Sequence, residues 1–132
     1  MPQRPSALSL MLCDQVAFEE GTQKAFLSGV FTGVSVDAFP TSPQRFDIFA
    51  ALTDGLGSVT IVLSAVHMDT DQEIYRQTRT VNFPDPLRVV NLRCRVRQLI
   101  YTESGTYLFA LTADGEEIAA RRVRVYQTGD IP

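Results

Sequence analysis

Apolar residues alternate with polar ones along most of this chain. In RFDIFAALT (residues 45–53) every second residue from Phe46 to Leu52 is apolar, and SVTIVLSAV (58–66) repeats this from Val59 to Ala65. Successive side chains of a β-strand point to opposite faces, so a period of two indicates a strand with one face against a core. These stretches therefore predict strands that cover a hydrophobic core.

The same pattern predicts six further strands, which gives about eight in total. They are ALSLMLC (7–13), KAFLSGVFTGVSV (24–36), EIYRQTRTVNF (73–83), LRVVNLRCRVRQLIY (87–101), GTYLFAL (105–111) and EIAARRVRVY (117–126). Gly29 and Gly33 indicate bulges or close approaches within their strand. The polar composition of residues 73–83 is typical of a sheet edge. Asp114-Gly115 is a strong hairpin signal between the last two strands.

Short strands separated by turns, without helical segments between them, predict an all-β antiparallel fold. We expect residues 1–132 to form a single domain, a two-sheet β-sandwich that is immunoglobulin-like or C2-like, with a closed barrel as the alternative. The Gly-x-Tyr of SGTYLFAL resembles the end of an immunoglobulin-like sandwich. This resemblance implies that Tyr107 hydrogen-bonds back along the chain and fixes a corner.

A wider resemblance rests on LMLCD, FLSGVFTGVSVDAFP, FDIFAALTDGLG and SGTYLFALTADGEEIAARRVRV. This succession resembles a family of small, uncharacterised bacterial proteins that is known as a domain of unknown function. The resemblance covers most of the chain and implies a cytoplasmic, single-domain β-sandwich. Its motifs are structural, so it assigns no catalytic residue.

Composition narrows the classes of function. The chain of 132 residues is 45% hydrophobic and 20% charged, and its net charge of −3 makes nucleic acid an unlikely partner. No apolar run reaches the roughly 18 residues of a transmembrane helix. SALSLMLCD places Leu12 before Cys13, where a lipoprotein signal needs a small residue, so we expect a strand there. A cytoplasmic location follows, with Cys13 and Cys94 reduced and buried.

Few residues indicate catalysis or metal binding. His67 is the only histidine, and the chain contains neither a Gly-x-Ser-x-Gly motif nor a phosphate-binding loop, so we expect no enzyme activity and no cofactor. VHMDTDQEI carries Asp69, Asp71 and Glu73 at alternate positions, which resembles the start of a calcium loop. The loop glycine and the twelfth-position glutamate are missing, so a hairpin turn without metal is the preferred interpretation.

Arginines are the most distinctive surface residues. Residues 1–75 hold three basic and nine acidic residues, whereas residues 76–132 hold nine arginines and six acids. The candidate anion-binding residues alternate with apolar positions and are Arg93, Arg95, Arg97, Arg122 and Arg124. If their two strands belong to one sheet, these guanidinium groups form a patch for carboxylate or phosphate. The alternative is a solvated sheet face with cross-strand salt bridges.

These observations predict a non-catalytic protein-interaction module. Its partner would be another protein, or a second copy, bound through an edge strand such as residues 73–83 or through exposed Leu99 and Tyr101. The first rival is a ligand-binding module that recognises an anionic or acidic partner through the arginines, or calcium through loop acids. The second rival is an enzyme that uses His67.

Overall fold

The computed structural model describes residues 2–129, which form two β-sheets and contain no helix. The all-β prediction is therefore confirmed. Residues 2–129 contain nine strands, which are β1 (Ser6–Phe18), β2 (Ala25–Phe31), β3 (Gly33–Val36), β4 (Phe46–Thr53), β5 (Gly57–His67), β6 (Gln72–Phe83), β7 (Val90–Val96), β8 (Gly105–Ala113) and β9 (Glu116–Gln127). The count exceeds eight because the stretch predicted as one strand over residues 24–36 is divided at Thr32 into β2 and β3.

The first sheet has the order β2-β1-β4-β7 and the second the order β3-β9-β8-β5-β6. The polar strand β6 lies at a sheet edge, as its composition indicated. All neighbours are antiparallel except β3 and β9, which are parallel. The expectation of a purely antiparallel fold was wrong here, because the chain changes sheets at Thr32 and meets the edge of β9 in the same direction.

One hydrophobic core lies between the two sheets. The alternate apolar residues of β4 and β5 face it and are buried, as the period of two predicts. The ring of Phe46 on β4 meets Phe109 on β8 edge-on, with centroids 6.1 Å apart. Burying side chains of this size stabilises a fold by about 1.5–3 kcal/mol each. The contact between Phe46 and Phe109 joins the two sheets through this core.

A second hydrophobic cluster lies on the outer face of the first sheet. Pairing of β1 with β4 ends at Cys13 and Asp47, but β1 continues to Phe18 in a hairpin with β2. This hairpin curls over the outer face and buries Val16 against Phe49. The first sheet is therefore covered on both faces, which a simple alternation of apolar and polar residues did not predict.

The start of β8 is fixed by the hydrogen bond that the sequence predicted for Tyr107. Its hydroxyl donates to the Glu103 carbonyl at 2.6 Å. The His67 ring packs edge-on against the Tyr107 ring, with centroids 4.8 Å apart. Gly105 has a φ of +142°, and a Cβ there would lie 2.6 Å from His67 Nε2. Only glycine fits this position without displacing the histidine.

The segment after β7 folds inward, toward the hydrophobic core. The sequence predicted one strand over residues 87–101 with Leu99 and Tyr101 exposed, but β7 ends at Val96 and both of these side chains are buried. Beyond Val96 the chain leaves the sheet, and Tyr101 pairs with Thr41 in an isolated bridge. These two residues are therefore not available for self-association.

No helix with the length and apolar character needed to cross a membrane occurs in residues 2–129.

Candidate functional site

The five candidate arginines lie on two different sheets. Arg93 and Arg95 belong to β7 in the first sheet and Arg97 follows it, whereas Arg122 and Arg124 belong to β9 in the second. A single patch of five guanidinium groups required both strands in one sheet, so that condition is not met. Alternation within a strand fixes the face on which a side chain lies but carries no information about the sheet to which the strand belongs.

Two of these arginines hold the curled hairpin against the first sheet. Arg95 Nε donates to Asp47 Oδ1 at 3.3 Å, and Asp47 Oδ2 accepts a hydrogen bond from the Val16 amide at 2.8 Å. Arg93 donates to the Val16 carbonyl at 3.3 Å, and its guanidinium lies over the Phe18 ring. Asp47 is completely buried and therefore requires these partners. Arg93 and Arg95 thus have structural contacts.

The arginines of β9 are more accessible. Arg122 and Arg124 alternate with buried valines and are exposed, and their side chains make no hydrogen bond or ion pair within residues 2–129. Arg121 is two residues before the buried Val123, so alternation would place it on the same face of β9. It lies in the part of β9 that pairs with β8 but not with β3. Its Nε donates to the Leu10 carbonyl of the first sheet at 2.8 Å. This side-chain bond joins two strands that share no backbone ladder.

A shallow groove follows this junction, and we call it the β1–β9 groove. Residues 6–11 of β1 pair only with β4, and residues 116–123 of β9 pair only with β8. Two adjacent depressions of about 170 and 200 Å³ lie along these edges and share Leu10 and Arg121 in their linings. Their lining residues come mainly from the two strands and are Ala7, Leu8, Ser9, Leu10, Met11, Leu12, Val30, Phe31, Thr32, Ala119, Ala120, Arg121, Arg122 and Val123.

Exposed apolar side chains border the β1–β9 groove. Leu8 is 62% exposed, Val30 is 54% exposed, and Met11 is also exposed. In a regular strand Leu8 would lie on the same face as the buried Leu10. A bulge between Ala7 and Ser9 shifts the register with β4, and Leu8 consequently points to solvent. Alternation along β1 therefore did not indicate this apolar border.

A larger cleft of about 630 Å³ lies where β2 and β3 diverge into different sheets, and we call it the β2–β3 cleft. The rings of Phe31 and Phe46 meet edge-on in its wall, with centroids 5.5 Å apart. The exposed side chains of Asp14 and Arg45 also line it. The remaining lining residues are Gly29, Val30, Gly33, Val34, Pro43, Gln44 and Tyr101.

Tyr101 is the unusual residue of the β2–β3 cleft. It is completely buried, and its hydroxyl has no hydrogen-bond partner within residues 2–129. Burial raises the pKa of Tyr101 well above its ordinary value, so the hydroxyl stays a neutral donor at physiological pH. A buried polar group without a partner destabilises a fold by about 1–3 kcal/mol. Native proteins rarely leave a buried hydroxyl unpaired, and this hydroxyl belongs to a residue that lines a cleft.

The stretch of residues 66–74, which includes His67, is held by contacts within the protein. His67 is buried, with Nε2 3.0 Å from the Ser104 carbonyl and Nδ1 3.3 Å from the Thr70 hydroxyl. Glu73 binds Arg76 in an ion pair of 2.8 Å, which lowers the pKa of this carboxyl. In residues 2–129 no group of three or more histidine, cysteine, aspartate or glutamate side chains is arranged to hold a metal ion.

The two cysteines are free thiols and lie on opposite faces of the first sheet. Cys94 belongs to the core between the sheets, whereas Cys13 belongs to the outer cluster. Burial raises the pKa of the Cys94 thiol and that of the Cys13 thiol. A raised pKa lowers the fraction of reactive thiolate, so both residues have the character of structural cysteines.

Comparison with known proteins identifies similarity at the level of fold and of family. No curated protein matches the chain significantly. The structure resembles part of the Pseudomonas fluorescens alkylpurine DNA glycosylase AlkC bound to DNA containing an abasic site analog, with a TM-score of 0.53 and 7% sequence identity. The similarity covers 92% of this chain but spans only 30% of the glycosylase chain, and at this identity it concerns the fold alone.

The family comparison covers most of the sequence. Residues 8–126 match the model of a family described as "Family of unknown function (DUF6941)". This range begins in β1 and ends in β9, so it includes residues of both sheets, the whole β2–β3 cleft and every residue of the β1–β9 groove except Ala7. The chain therefore belongs to DUF6941, a family of unknown function.

Proposed function

We propose that the protein is a non-catalytic interaction module whose β1–β9 groove binds an extended, acidic and partly apolar segment of another protein. The observation that carries this proposal is the position of exposed Leu8 and Met11 directly beside Arg121 and Arg122. Apolar surface next to unpaired cations is suited to a partner that presents both apolar and acidic side chains.

The shape of the groove supports an extended occupant. The groove runs along residues 6–11 of β1 and 116–123 of β9, which have no backbone neighbour on that side. Partners that bind to a strand edge do so in extended conformation, with alternate side chains directed toward the protein. The small side chains of Ala119 and Ala120 leave room for such a segment beside β9.

The charges of β9 support an acidic occupant. Arg121 uses Nε for the Leu10 carbonyl, and its Nη nitrogens make no hydrogen bond within the described part of the chain. Arg122 adds a second guanidinium at the groove, and Arg124 extends the positive strand surface. Guanidinium groups bind carboxylates through paired hydrogen bonds, which favours aspartate or glutamate in the partner.

A protein segment fits the overall charge better than nucleic acid does. The glycosylase with a similar fold is bound to DNA in its structure. The present chain has a net charge of −3, whereas proteins that bind nucleic acid usually carry a basic excess. Two groove arginines beside apolar side chains offer a smaller and less polar surface than a phosphate backbone requires.

Three further parts of the proposal concern the fold type, the non-catalytic character and the location. We favour an immunoglobulin-like over a C2-like sandwich, and the hydrogen bond from Tyr107 to Glu103 supports this choice. The burial of His67, with both ring nitrogens in contact with protein groups, supports a structural histidine and a non-catalytic protein. Free, buried Cys13 and Cys94 agree with a reducing, cytoplasmic location.

The proposal is tested by selecting random peptides displayed on phage against the purified chain, then measuring the affinity of the selected peptides by fluorescence anisotropy. We expect enriched peptides to combine apolar and acidic residues. Leu8→Glu should weaken their binding about tenfold, because it places a carboxylate at the apolar border. Leu87→Glu is the matched control, since Leu87 is the most exposed of the large apolar side chains and lies outside the groove.

The outcomes separate the possible partners. Equal loss of affinity in Leu8→Glu and Leu87→Glu would place binding outside the groove. Enrichment of basic peptides would contradict the role of the β9 arginines. Binding of duplex DNA more tightly than any selected peptide, with the affinity falling steeply as salt rises, would replace the proposal with nucleic-acid recognition.

A further inference from the structure

We infer that the β2–β3 cleft binds a small zwitterionic molecule with an apolar body, of the chemical class of an apolar α-amino acid. The charged and polar residues of this site differ from those of the proposed segment-binding groove. Asp14, Arg45 and Tyr101 line the cleft, and none of them lines the groove.

Side chains of opposite charge line this cleft. Asp14 and Arg45 both line it, and they form no ion pair with each other in the described range 2–129. A carboxylate and a guanidinium in one cleft can bind an ammonium group and a carboxylate of the same ligand, respectively. A molecule with both charges satisfies the two side chains at once, whereas a simple anion or cation would satisfy only one.

Gly29 keeps the Asp14 carboxylate in place. Gly29 has a φ of +67°, and a Cβ at this position would overlap the Asp14 carboxylate. A side chain there would be strained and would also push the carboxylate away from the cleft wall. The absence of a side chain at Gly29 therefore allows Asp14 to lie against the cleft.

Tyr101 supplies the independent observation for a ligand. Its buried hydroxyl lacks a partner in the described residues, although the residue lines the cleft. The hydroxyl can donate one hydrogen bond and accept others, so a carboxylate or carbonyl oxygen of a ligand would complete it. Polar groups that are left unpaired in a preformed site are typical of groups that recognise a ligand.

The cleft has the size and the apolar wall that such a ligand needs. Its volume of about 630 Å³ is within the range of small-molecule sites, which is about 300–1,000 Å³. The rings of Phe31 and Phe46 and the side chain of Val34 provide the apolar surface. A purely polar zwitterion would leave this surface exposed to water, which is why the inferred ligand has an apolar body.

The test uses the full chain, with free amino acids as probes, and follows binding by two-dimensional NMR. Each amino acid is added at about 10 mM, a concentration that detects dissociation constants in the millimolar range. We expect leucine and phenylalanine to shift the resonances of cleft residues, and glycine and glutamate to do so much less. N-acetyl and amide derivatives should bind about tenfold more weakly, because each lacks one of the two charges. Dipeptides with free termini distinguish a free amino acid from a peptide end.

Variants then assign the contacts. Tyr101→Phe, Asp14→Asn and Arg45→Gln should each weaken binding about tenfold, as expected when one hydrogen-bonded contact is lost. Tyr75→Phe and Arg88→Gln are matched controls outside the cleft and should leave the affinity within about twofold. Tyr101→Phe also removes the unpaired hydroxyl, so the free protein should stay folded and keep its melting temperature or gain a few degrees.

Three results would overturn the inference. These are no binding of any amino acid or dipeptide, equal binding of blocked and free forms, and unchanged affinity in Tyr101→Phe. If the protein binds no peptide at the β1–β9 groove but does bind amino acids, only the proposed function is contradicted. The two proposals can therefore fail separately.

Discussion

Replacement of Asp47 by alanine tests whether Arg95 is a structural residue. Asp47 is completely buried on the outer face of the first sheet, where it accepts hydrogen bonds from the Val16 amide and from Arg95. Alanine removes both contacts and leaves the Val16 amide without its acceptor. We expect the curled hairpin of β1 and β2 to lose its attachment to β4.

The magnitude follows from the two contacts. A buried amide left without a partner costs about 1–3 kcal/mol. The Arg95 side chain is 32% exposed, so the ion pair is partly screened by solvent and adds only about 0.5–1 kcal/mol. Asp47→Ala should therefore lower the free energy of unfolding by about 3 kcal/mol. For a domain of this size that corresponds to a fall in melting temperature of about 10 °C.

Urea denaturation followed by circular dichroism measures this difference directly. Arg95→Ala should cost about 1 kcal/mol, and the double variant should be less destabilised than the sum, because the two residues share one interaction. Hydrogen exchange at the Val16 amide should accelerate more in Asp47→Ala than in Arg95→Ala. Asp47→Asn is the conservative comparison, since its side-chain oxygen can still accept from Val16.

Two results would refute this account. A loss below about 0.5 kcal/mol in Asp47→Ala would mean that the buried contacts do not stabilise the hairpin. Strict additivity of the two single variants would mean that Arg95 acts independently of Asp47. In that case Arg95 would again be a candidate for a binding role.

Three further predictions concern residues near the corner and the cleft. Gly105→Ala should lower stability by more than about 2 kcal/mol in thermal unfolding, because the new Cβ would displace His67 and φ is unfavourable. Tyr107→Phe should cost about 1–2 kcal/mol through the lost hydrogen bond to Glu103, measured the same way. Burial raises the pKa of Tyr101, so its contribution to stability is complete below its unfolded value of 10.0 and declines above it; Tyr101→Phe should flatten the alkaline fall of the melting temperature.

Each of these three has a distinct contrary result. Wild-type stability of Gly105→Ala would show that the His67 ring can move without cost. Wild-type stability of Tyr107→Phe would show that the corner hydrogen bond is not stabilising. An unchanged alkaline profile in Tyr101→Phe would show that another group governs the loss of stability at high pH.

Local pattern predicted much of the fold. The alternation around Ile48 and Ile61 located two central strands and their buried faces, and the polar composition of residues 73–83 indicated an edge strand. The resemblance of the Gly-x-Tyr stretch to the end of an immunoglobulin-like sandwich implied the hydrogen bond of Tyr107. These features depend on neighbours in sequence or on the period of a single strand, so they can be inferred without tertiary information.

The candidate site depended on long-range placement and was therefore predicted less well. Arg93 and Arg122 lie on different sheets, and neither strand carries a marker of its sheet. The burial of Asp47 results from a hairpin that curls over the outer face, which alternation in β4 alone could not indicate. The exposure of Leu8 results from one bulge, and the burial of Tyr101 results from a chain that leaves the sheet after Val96.

Binding at the β1–β9 groove is tested by comparing the affinity of a selected peptide for Arg122→Glu with its affinity for Arg97→Glu. Both changes reverse one exposed charge, but only Arg122 lines the β1–β9 groove. We expect about tenfold weaker binding for Arg122→Glu and a change below about twofold for Arg97→Glu. Equal effects of the two variants, or no effect of Arg122→Glu, would contradict the assignment of the groove as the interaction surface.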